Sequence, residues 1–227
     1  MKNNTVTVSF MILGILFCVC LVASNLLETK IVEIGPISLT GGFVVFPISY
    51  IINDCIAEIW GYKKARLIIW LGFLMNFLVI GFSQIVLLLP SPEYWTGEGA
   101  FRFVFGMAPR IACASLAAFL VGSFLNAYVM SKMKLASQGR NFSLRAVMST
   151  LFGESADSLM FFPMAFGGMI PFEEMLKLML IQVVAKTLYE IVALPVTIRV
   201  VQYIKKTDGT DVYDENISYN VLKVKEL

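Results

Sequence analysis

Histidine is absent from this 227-residue sequence. Its absence excludes imidazole metal ligands, a Ser–His catalytic pair and pH sensing by histidine. There is also no Walker A motif, so the chain does not hydrolyse ATP itself. The four cysteines lack the CxxC spacing of a metal or redox site. The net charge of +2 is too small to indicate a nucleic-acid partner. We expect no metal, no cofactor and no enzymatic activity, since an intramembrane enzyme would lack a catalytic constellation.

Charged side chains are scarce as well. They make up 15% of the chain, against about a quarter in soluble proteins. Hydrophobic residues reach 58% and the mean hydropathy is +0.77. Six apolar stretches have the length of about 20 residues that a membrane span needs. They lie at 8–27, 39–60, 67–89, 108–130, 146–170 and 175–204. We predict an all-α integral membrane protein with six transmembrane helices in residues 1–206, and a mobile, polar cytoplasmic tail over residues 207–227.

Lysine and arginine are concentrated in alternate loops. These are the loops after spans two and four and the segment after span six, while the loops between them carry acidic or mixed charge. Since positively charged loops remain in the cytoplasm, the pattern places both termini there. The first span lacks a clear cleavage site and reads as a retained helix rather than a signal peptide. The residues that set the orientation are Lys63, Lys64, Arg66, Lys132, Lys134, Arg140, Arg145, Lys205 and Lys206.

A weak internal repeat is present. The segment LVAS at 21–24 recurs as LVGS at 120–123, and the same offset of 99 residues maps Glu58 onto Asp157. Three spans in each half would give the halves opposite orientations, which is a 3+3 inverted repeat of the kind found in many transporters. Short apolar matches also arise by chance, so both interpretations stay open.

Ionisable residues occur at membrane depth in three spans. Asp54 and Glu58 are four residues apart in span two, and Glu154 and Asp157 are three apart in span five, so each pair shares a helix face. An ionised side chain at mid-membrane costs roughly 2.5–3.5 kcal/mol if it faces lipid. These groups must therefore face one another, water or a ligand. Span six adds a stripe with a spacing of four, formed by Gln182, Lys186 and Glu190.

The structural alternative is a set of ion pairs that holds the helices together. It is realistic for Lys186 and Glu190, for which the two interpretations are equally good. It does not account for five carboxylates beside a single lysine, and we therefore favour a binding site for the acidic set.

Glycine and proline fall in the same two acidic spans. Span two contains the Gly41–Gly42 pair and Pro47, and span five contains Gly153, Pro163 and the Gly167–Gly168 pair. Helices that break at corresponding positions of two halves mark transporter binding sites. We accordingly expect broken helices beside the acidic pairs, although membrane helices also tolerate both residue types without a break.

Four segments carry a resemblance to a known family. They are PISYIINDCIAEIWGYKKAR at 47–66, RIACASLAAFLVGSFLNAYV at 110–129, STLFGESADSLMFFPMAF at 149–166 and KTLYEIVALP at 186–195. In order and spacing they resemble the queuosine precursor transporter family of bacterial inner-membrane proteins, and the resemblance extends over residues 10–204. It implies a multi-pass protein of the bacterial cytoplasmic membrane that imports 7-cyano-7-deazaguanine, 7-aminomethyl-7-deazaguanine or the related base queuine for tRNA queuosine.

A guanine-like ring suits these polar residues. One carboxylate can accept both the ring N1–H and the 2-amino group, and a second can pair with an aminomethyl cation. Side-chain amides could add hydrogen bonds, an aromatic ring could stack on the base, and Lys186 could neutralise a carboxylate that is empty of substrate. The predicted substrate-binding residues are Tyr50, Asn53, Asp54, Glu58, Asn126, Glu154, Asp157, Phe161, Lys186 and Glu190.

One alternative function stays open. The chain could be the substrate-binding membrane subunit of an ATP-driven vitamin importer, because such subunits also have about six spans and need a separate motor. The expected partners are a small-molecule substrate and the lipid bilayer, without direct nucleic-acid contact. The sequence leaves the oligomeric state open, a homo-oligomer included.

Overall fold

The fold is almost entirely helical. The computed structural model describes residues 6–35, 37–106, 108–168, 171–215 and 217. The elements in chain order are α1 (Val8–Leu27), β1 (Ile31–Ile34), β2 (Ile37–Thr40), a 3-10 helix (Gly41–Val44), α2 (Phe46–Leu87), α3 (Glu98–Gly106), α4 (Ala108–Ala136), α5 (Phe142–Phe166) and α6 (Phe172–Asp208).

Within the residues that the structure describes, four helices are long and apolar enough to cross a membrane. They are α1, α2, the part Cys113–Ala136 of α4, and α6. This confirms an all-α membrane protein. The helices extend past several predicted spans: α4 continues six residues beyond 130, and α5 begins four residues before 146.

The chain reverses direction inside α2 at one glycine. Gly61 has φ +82° and ψ 172°, a backbone conformation that favours glycine because it has no Cβ. Before the break, Trp60 stacks edge-on against Phe10 near the start of α1, while the 3-10 helix that precedes α2 contacts the end of α1. After the break the direction is opposite, since Ile68 contacts Gly14 and Gly72 lies against Leu21. Residues 46–87 therefore form two helices of opposite direction, joined at Gly61 without a loop.

The start of the C-terminal tail is packed on this break. We refer to residues 209–215 as the strap. The Asp214 carboxylate is buried and accepts the Tyr62 backbone N–H, at 2.9 and 3.1 Å to its two oxygens, and the Ser131 hydroxyl. The Val212 N–H donates to the Ile59 carbonyl at 3.0 Å. Both ends of the broken helix thus have partners from the strap. The prediction of a mobile tail is wrong for this part, while residues 216 and 218–227 lie outside the described residues.

Glycine in α5 serves close packing rather than a break. A Cβ on Gly122 of α4 would lie 2.8 Å from the Gly153 carbonyl oxygen, and one on Gly153 would lie 2.9 Å from that of Gly122. The two helices can approach this closely only because neither residue has a side chain. Helix α5 continues through Gly153 and Pro163 and ends at Phe166, just before the Gly167–Gly168 pair. The prediction of a break beside Glu154 and Asp157 is therefore wrong. In span two, Gly41 and Gly42 precede α2, and Pro47 lies in its first turn.

A short hairpin returns the chain to the bundle between α1 and α2. The strands β1 and β2 pair antiparallel, with Ile31 opposite Thr40. The Gly41 N–H donates to the Lys30 carbonyl at 2.6 Å. The hairpin thereby brings Thr40 within 3.3 Å of the Gln182 amide nitrogen in α6.

Replacing Asp214 by alanine removes the cap from the second half of α2. We expect a loss of about 1–2 kcal/mol in the free energy of unfolding, the usual effect of losing an N-terminal cap, seen as a lower melting temperature in detergent. Glu215→Ala, one residue along and exposed, is the matched control and should leave the melting temperature unchanged. Equal stability of the two variants would show that the strap contact does not hold the break.

Candidate functional site

A buried lysine lies at the centre of the bundle. The Lys186 ammonium on α6 is 2.8 Å from Glu154 and 3.7 Å from Asp157, both on α5. It also lies 3.9 Å from the centre of the Phe46 ring at the start of α2. Each of these three charged side chains is at most 8% exposed. One cation thus connects α6 to α5 through ion pairs with two carboxylates, and to α2 through a cation–π contact.

A second polar group lies one helical turn further along α6. The Asp54 carboxylate on α2 accepts a hydrogen bond of 2.6 Å from the Asn126 amide on α4 and one of 3.5 Å from the Ser149 hydroxyl on α5. Its other neighbour is the Glu190 carboxyl, with which it shares a hydrogen bond. Two carboxyl groups in contact need one proton between them. This layer therefore has a site for a proton as well as for hydrogen-bond donors.

Several polar atoms in this region have no partner among the described residues. Both amide atoms of Asn53, the Asn126 amide oxygen and one Glu190 oxygen are buried without a hydrogen bond. Since an unsatisfied buried polar group costs about 1–3 kcal/mol, a cluster of them indicates a place for a ligand or water. Tyr50 lies beside them, buried, with its ring 5.4 Å from that of Phe46.

Glu28 joins this site although its sequence context gives no sign of it. It follows α1 directly, is 6% exposed, and interacts electrostatically with Lys186 and Asp157. Thr40 of the hairpin is its hydrogen-bond partner. In the sequence Glu28 looks like an exposed loop residue, because it follows the first span. It is buried because the hairpin folds over it, and helical periodicity does not predict that contact.

Glu58 lies apart from the other predicted site residues. Arg145 binds both of its carboxylate oxygens, one of them at 3.1 Å, and the Lys205 ammonium lies 2.6 Å from one of them. Lys134 donates to its carbonyl and pairs at 2.7 Å with Asp211 of the strap. We name these five residues the tail-end cluster. Three cations surround two carboxylates, so both acids have partners without a ligand and the cluster carries one excess positive charge.

Phe161 is the other predicted residue that lies elsewhere. Its ring stacks edge-on against those of Phe162 and Phe166, in an apolar cluster with Ile111 and Met175. Seven predicted residues, Lys186 among them, come together in this region, and Asn53 is buried next to Asp54. The seven are Tyr50, Asp54, Asn126, Glu154, Asp157, Lys186 and Glu190.

The polar groups form a column through the bundle. Glu28, Thr40 and Gln182 lie at its hairpin end. The Lys186 layer and then the Asp54–Glu190 layer follow along the bundle. The tail-end cluster lies at the other end. Apart from that cluster, the column holds five carboxylates and one lysine among the described residues: Glu28, Asp54, Glu154, Asp157 and Glu190 against Lys186.

Comparison with known proteins identifies the family. Residues 40–200 match the family described as "Putative vitamin uptake transporter", which is well over half of the chain. The chain belongs to this uptake transporter family. That membership makes it a membrane transporter rather than an enzyme, as the sequence predicts. The matched region begins at Thr40 and includes every predicted site residue, and Glu28 precedes it.

The curated relatives carry a more specific name. A "Probable queuosine precursor transporter" of Bacillus subtilis (strain 168) is 29% identical over 175 residues, 77% of this chain and 76% of the relative. The "Queuosine precursor transporter" of Escherichia coli (strain K12) is 30% identical over 154 residues, 68% of this chain and 67% of the relative. No solved structure gives a significant match.

Replacing Lys186 by methionine tests whether this lysine is the electrostatic centre. Removal of one partner from a buried ion pair costs about 3–5 kcal/mol, so we expect a sharp fall in melting temperature and in the folded yield. The double variant Lys186→Met with Glu154→Gln should recover part of that loss, because one uncompensated charge is removed. A Lys186→Met protein as stable as the unmodified chain would contradict the assignment.

Proposed function

We propose that this chain imports a 7-deazaguanine precursor of queuosine across the bacterial cytoplasmic membrane, for the synthesis or salvage of queuosine in tRNA. The candidate substrates are 7-cyano-7-deazaguanine, 7-aminomethyl-7-deazaguanine and the related base queuine. The observation that carries the proposal is the buried column of carboxylates around Lys186, with several polar atoms left unpartnered. The names of the relatives and the resemblance of the four sequence segments support the substrate class.

The ring is held in the Asp54–Glu190 layer in this proposal. A guanine-like base presents N1–H and the 2-amino group side by side, and one carboxylate accepts both. Asp54 is rigidly placed by Asn126 and Ser149, which suits it to this role. The unpartnered amide of Asn53 can complete hydrogen bonds to the ring edge. Tyr50 offers an aromatic face, for which stacking contributes roughly 1–3 kcal/mol per base.

The topology belongs to the same proposal. We place six spans in the membrane, with α2 counted as two, and both termini in the cytoplasm. The reversal at Gly61 supports two spans in α2, and the loop charges support the orientation. A 3+3 inverted repeat would pair α1 with α4; Ser24 and Ser123, equivalent at an offset of 99, are both buried. Oligomer formation is not required, since the column lies within one chain.

The tail-end cluster is the cytoplasmic closure of the column in this proposal. It joins α2, α4, α5, α6 and the strap through the contacts of Glu58 and Asp211. Substrate that has entered from the hairpin end can leave only if these contacts separate. Since both carboxylates of the cluster find cations within the protein and need no ligand, it can close again once the substrate has gone.

Asp54→Asn tests the binding role directly. In cells that cannot make the precursor and are fed a low concentration of it, we expect the variant to lower tRNA queuosine at least tenfold. The physical reason is that a hydrogen bond to a charged group is worth about 1.5–3 kcal/mol. The asparagine amide has only one acceptor atom, its oxygen, so it cannot accept one hydrogen bond on each of its two terminal atoms as a carboxylate does. The measurement is the queuosine content of bulk tRNA.

The matched control is Glu93→Gln, which changes an exposed carboxylate outside the column. It should support the unmodified level of queuosine. A folded Asp54→Asn protein with normal queuosine would refute the substrate site, and equal queuosine in cells with and without the gene would refute the transport function.

A disulfide across the strap tests the cytoplasmic closure. The Ser131 hydroxyl donates a hydrogen bond to the Asp214 carboxylate, so the cysteines introduced by Ser131→Cys with Asp214→Cys would face each other and are candidates for a disulfide. Under a membrane-permeant oxidant the double variant should lose precursor uptake, and a reductant should restore it. The single variants, treated in the same way, control for the native cysteines. Uptake that persists with the crosslink fully formed would show that the strap does not need to move.

A further inference from the structure

Glu28 is covered by the hairpin yet aimed into the column. A Cβ on Gly42 would collide with its carboxylate, so the 3-10 helix packs directly on top of it. Thr40, which bonds Glu28, also receives the Gln182 amide at 3.3 Å. Gln182 is one helical turn from Lys186 on α6. Glu28 therefore lies at the hairpin end of the same polar stripe that leads down to Glu190.

The Glu28 carboxylate is not fully used by the protein. One of its oxygens is buried without a hydrogen-bond partner among the described residues, and the side chain as a whole is 94% buried. Lys186, the cation with which it interacts electrostatically, already pairs with Glu154 at 2.8 Å and faces Asp157 at 3.7 Å. Three carboxylates thus compete for one ammonium group. A second cation at this end would be bound strongly.

The distance along the column fits a base with a cationic substituent. Gln182 and Glu190 are eight residues apart on α6, which is ~12 Å along a helix. A bicyclic base held by its pyrimidine edge in the Asp54–Glu190 layer would extend past the Lys186 layer, which lies between the two ends, and direct the substituent on its five-membered ring towards the hairpin end. An ammonium group on that substituent would approach Glu28.

We propose that Glu28 binds the ammonium group of a cationic substrate and selects it over a neutral analogue of the same ring. This inference rests on the proposed function and names its substrate preference: the aminomethyl form of the 7-deazaguanine over the cyano form. The hairpin residues Thr40 and Gly42 hold the carboxylate in place and exclude water above it.

The protonation of Glu28 gives the selection a pH dependence. Burial raises the pKa of the Glu28 carboxyl to about 7, while Lys186 and the bond from Thr40 act in the opposite direction and Asp157 adds to the rise. The carboxyl is therefore neutral below pH 7 and charged above it. An alkylammonium group stays protonated throughout this range. Preference for the cationic substrate should consequently increase from pH 6 to pH 8.

Glu28→Gln is the direct test. Uptake of labelled 7-aminomethyl-7-deazaguanine and of 7-cyano-7-deazaguanine is measured separately, in cells that lack other importers of these bases. We expect the variant to weaken the apparent affinity for the aminomethyl form roughly tenfold and to change that for the cyano form by less than about twofold. The ratio of the two affinities should no longer depend on pH in the variant. Glu33→Gln, on the exposed face of β1, is the matched control and should change neither.

Three results would overturn the assignment. An equal loss for both substrates would make Glu28 a structural residue, and unchanged uptake of both would place it outside the site. The unmodified chain gives a third test: if the ratio of its two uptake rates stays constant from pH 6 to pH 8, the assignment of Glu28 is contradicted. If the unmodified chain takes up neither base, the proposed function itself fails, which is distinct from a failure of Glu28 alone.

Discussion

The contact between Lys186 and its carboxylates is the interaction on which the rest of the centre depends. A lysine at this depth is stable only because Glu154 and Asp157 face it, and those acids are tolerable only because the lysine is there. Since Lys186 is on α6, both acids are on α5 and Phe46 begins α2, the same contact fixes how three helices meet. The remaining carboxylates exceed what one cation can balance, and this excess gives the column its capacity to bind.

Two features of the backbone, the reversal at Gly61 and a close glycine contact between α4 and α5, bring the acidic residues together inside the bundle. The reversal at Gly61 sends α2 back along α1 without a loop, so that its first half can lie inside the bundle with Tyr50 and Asp54 buried. The glycine pair Gly122 and Gly153 lets α4 and α5 approach closely beside them. At one end the strap satisfies the open helix termini at Gly61, and at the other the hairpin lies over Glu28. The column is therefore covered by protein at both ends.

Helical periodicity was sufficient to predict most of the centre. The pairs Glu154 and Asp157, and the stripe of Lys186 and Glu190, share faces at spacings of three and four residues, and the structure places them together. Glu58 shares the face of Asp54 but lies one turn nearer the tail end, where it pairs with Arg145, Lys134 and Lys205. Those cations read as loop charges, and the contacts that assemble them are long-range. Glu28 and the strap were missed for the same reason: hairpin and tail contacts depend on tertiary structure.

The central claim is that this chain by itself moves the base through its column. The most direct measurement is uptake of labelled 7-aminomethyl-7-deazaguanine by liposomes that contain only the purified chain, with no ATP and no other protein. We predict uptake that saturates with substrate and exceeds that of protein-free liposomes. Uptake that occurs only when a coupling subunit and ATPases are added would contradict the claim, and would make the chain the substrate-binding subunit of an ATP-driven importer.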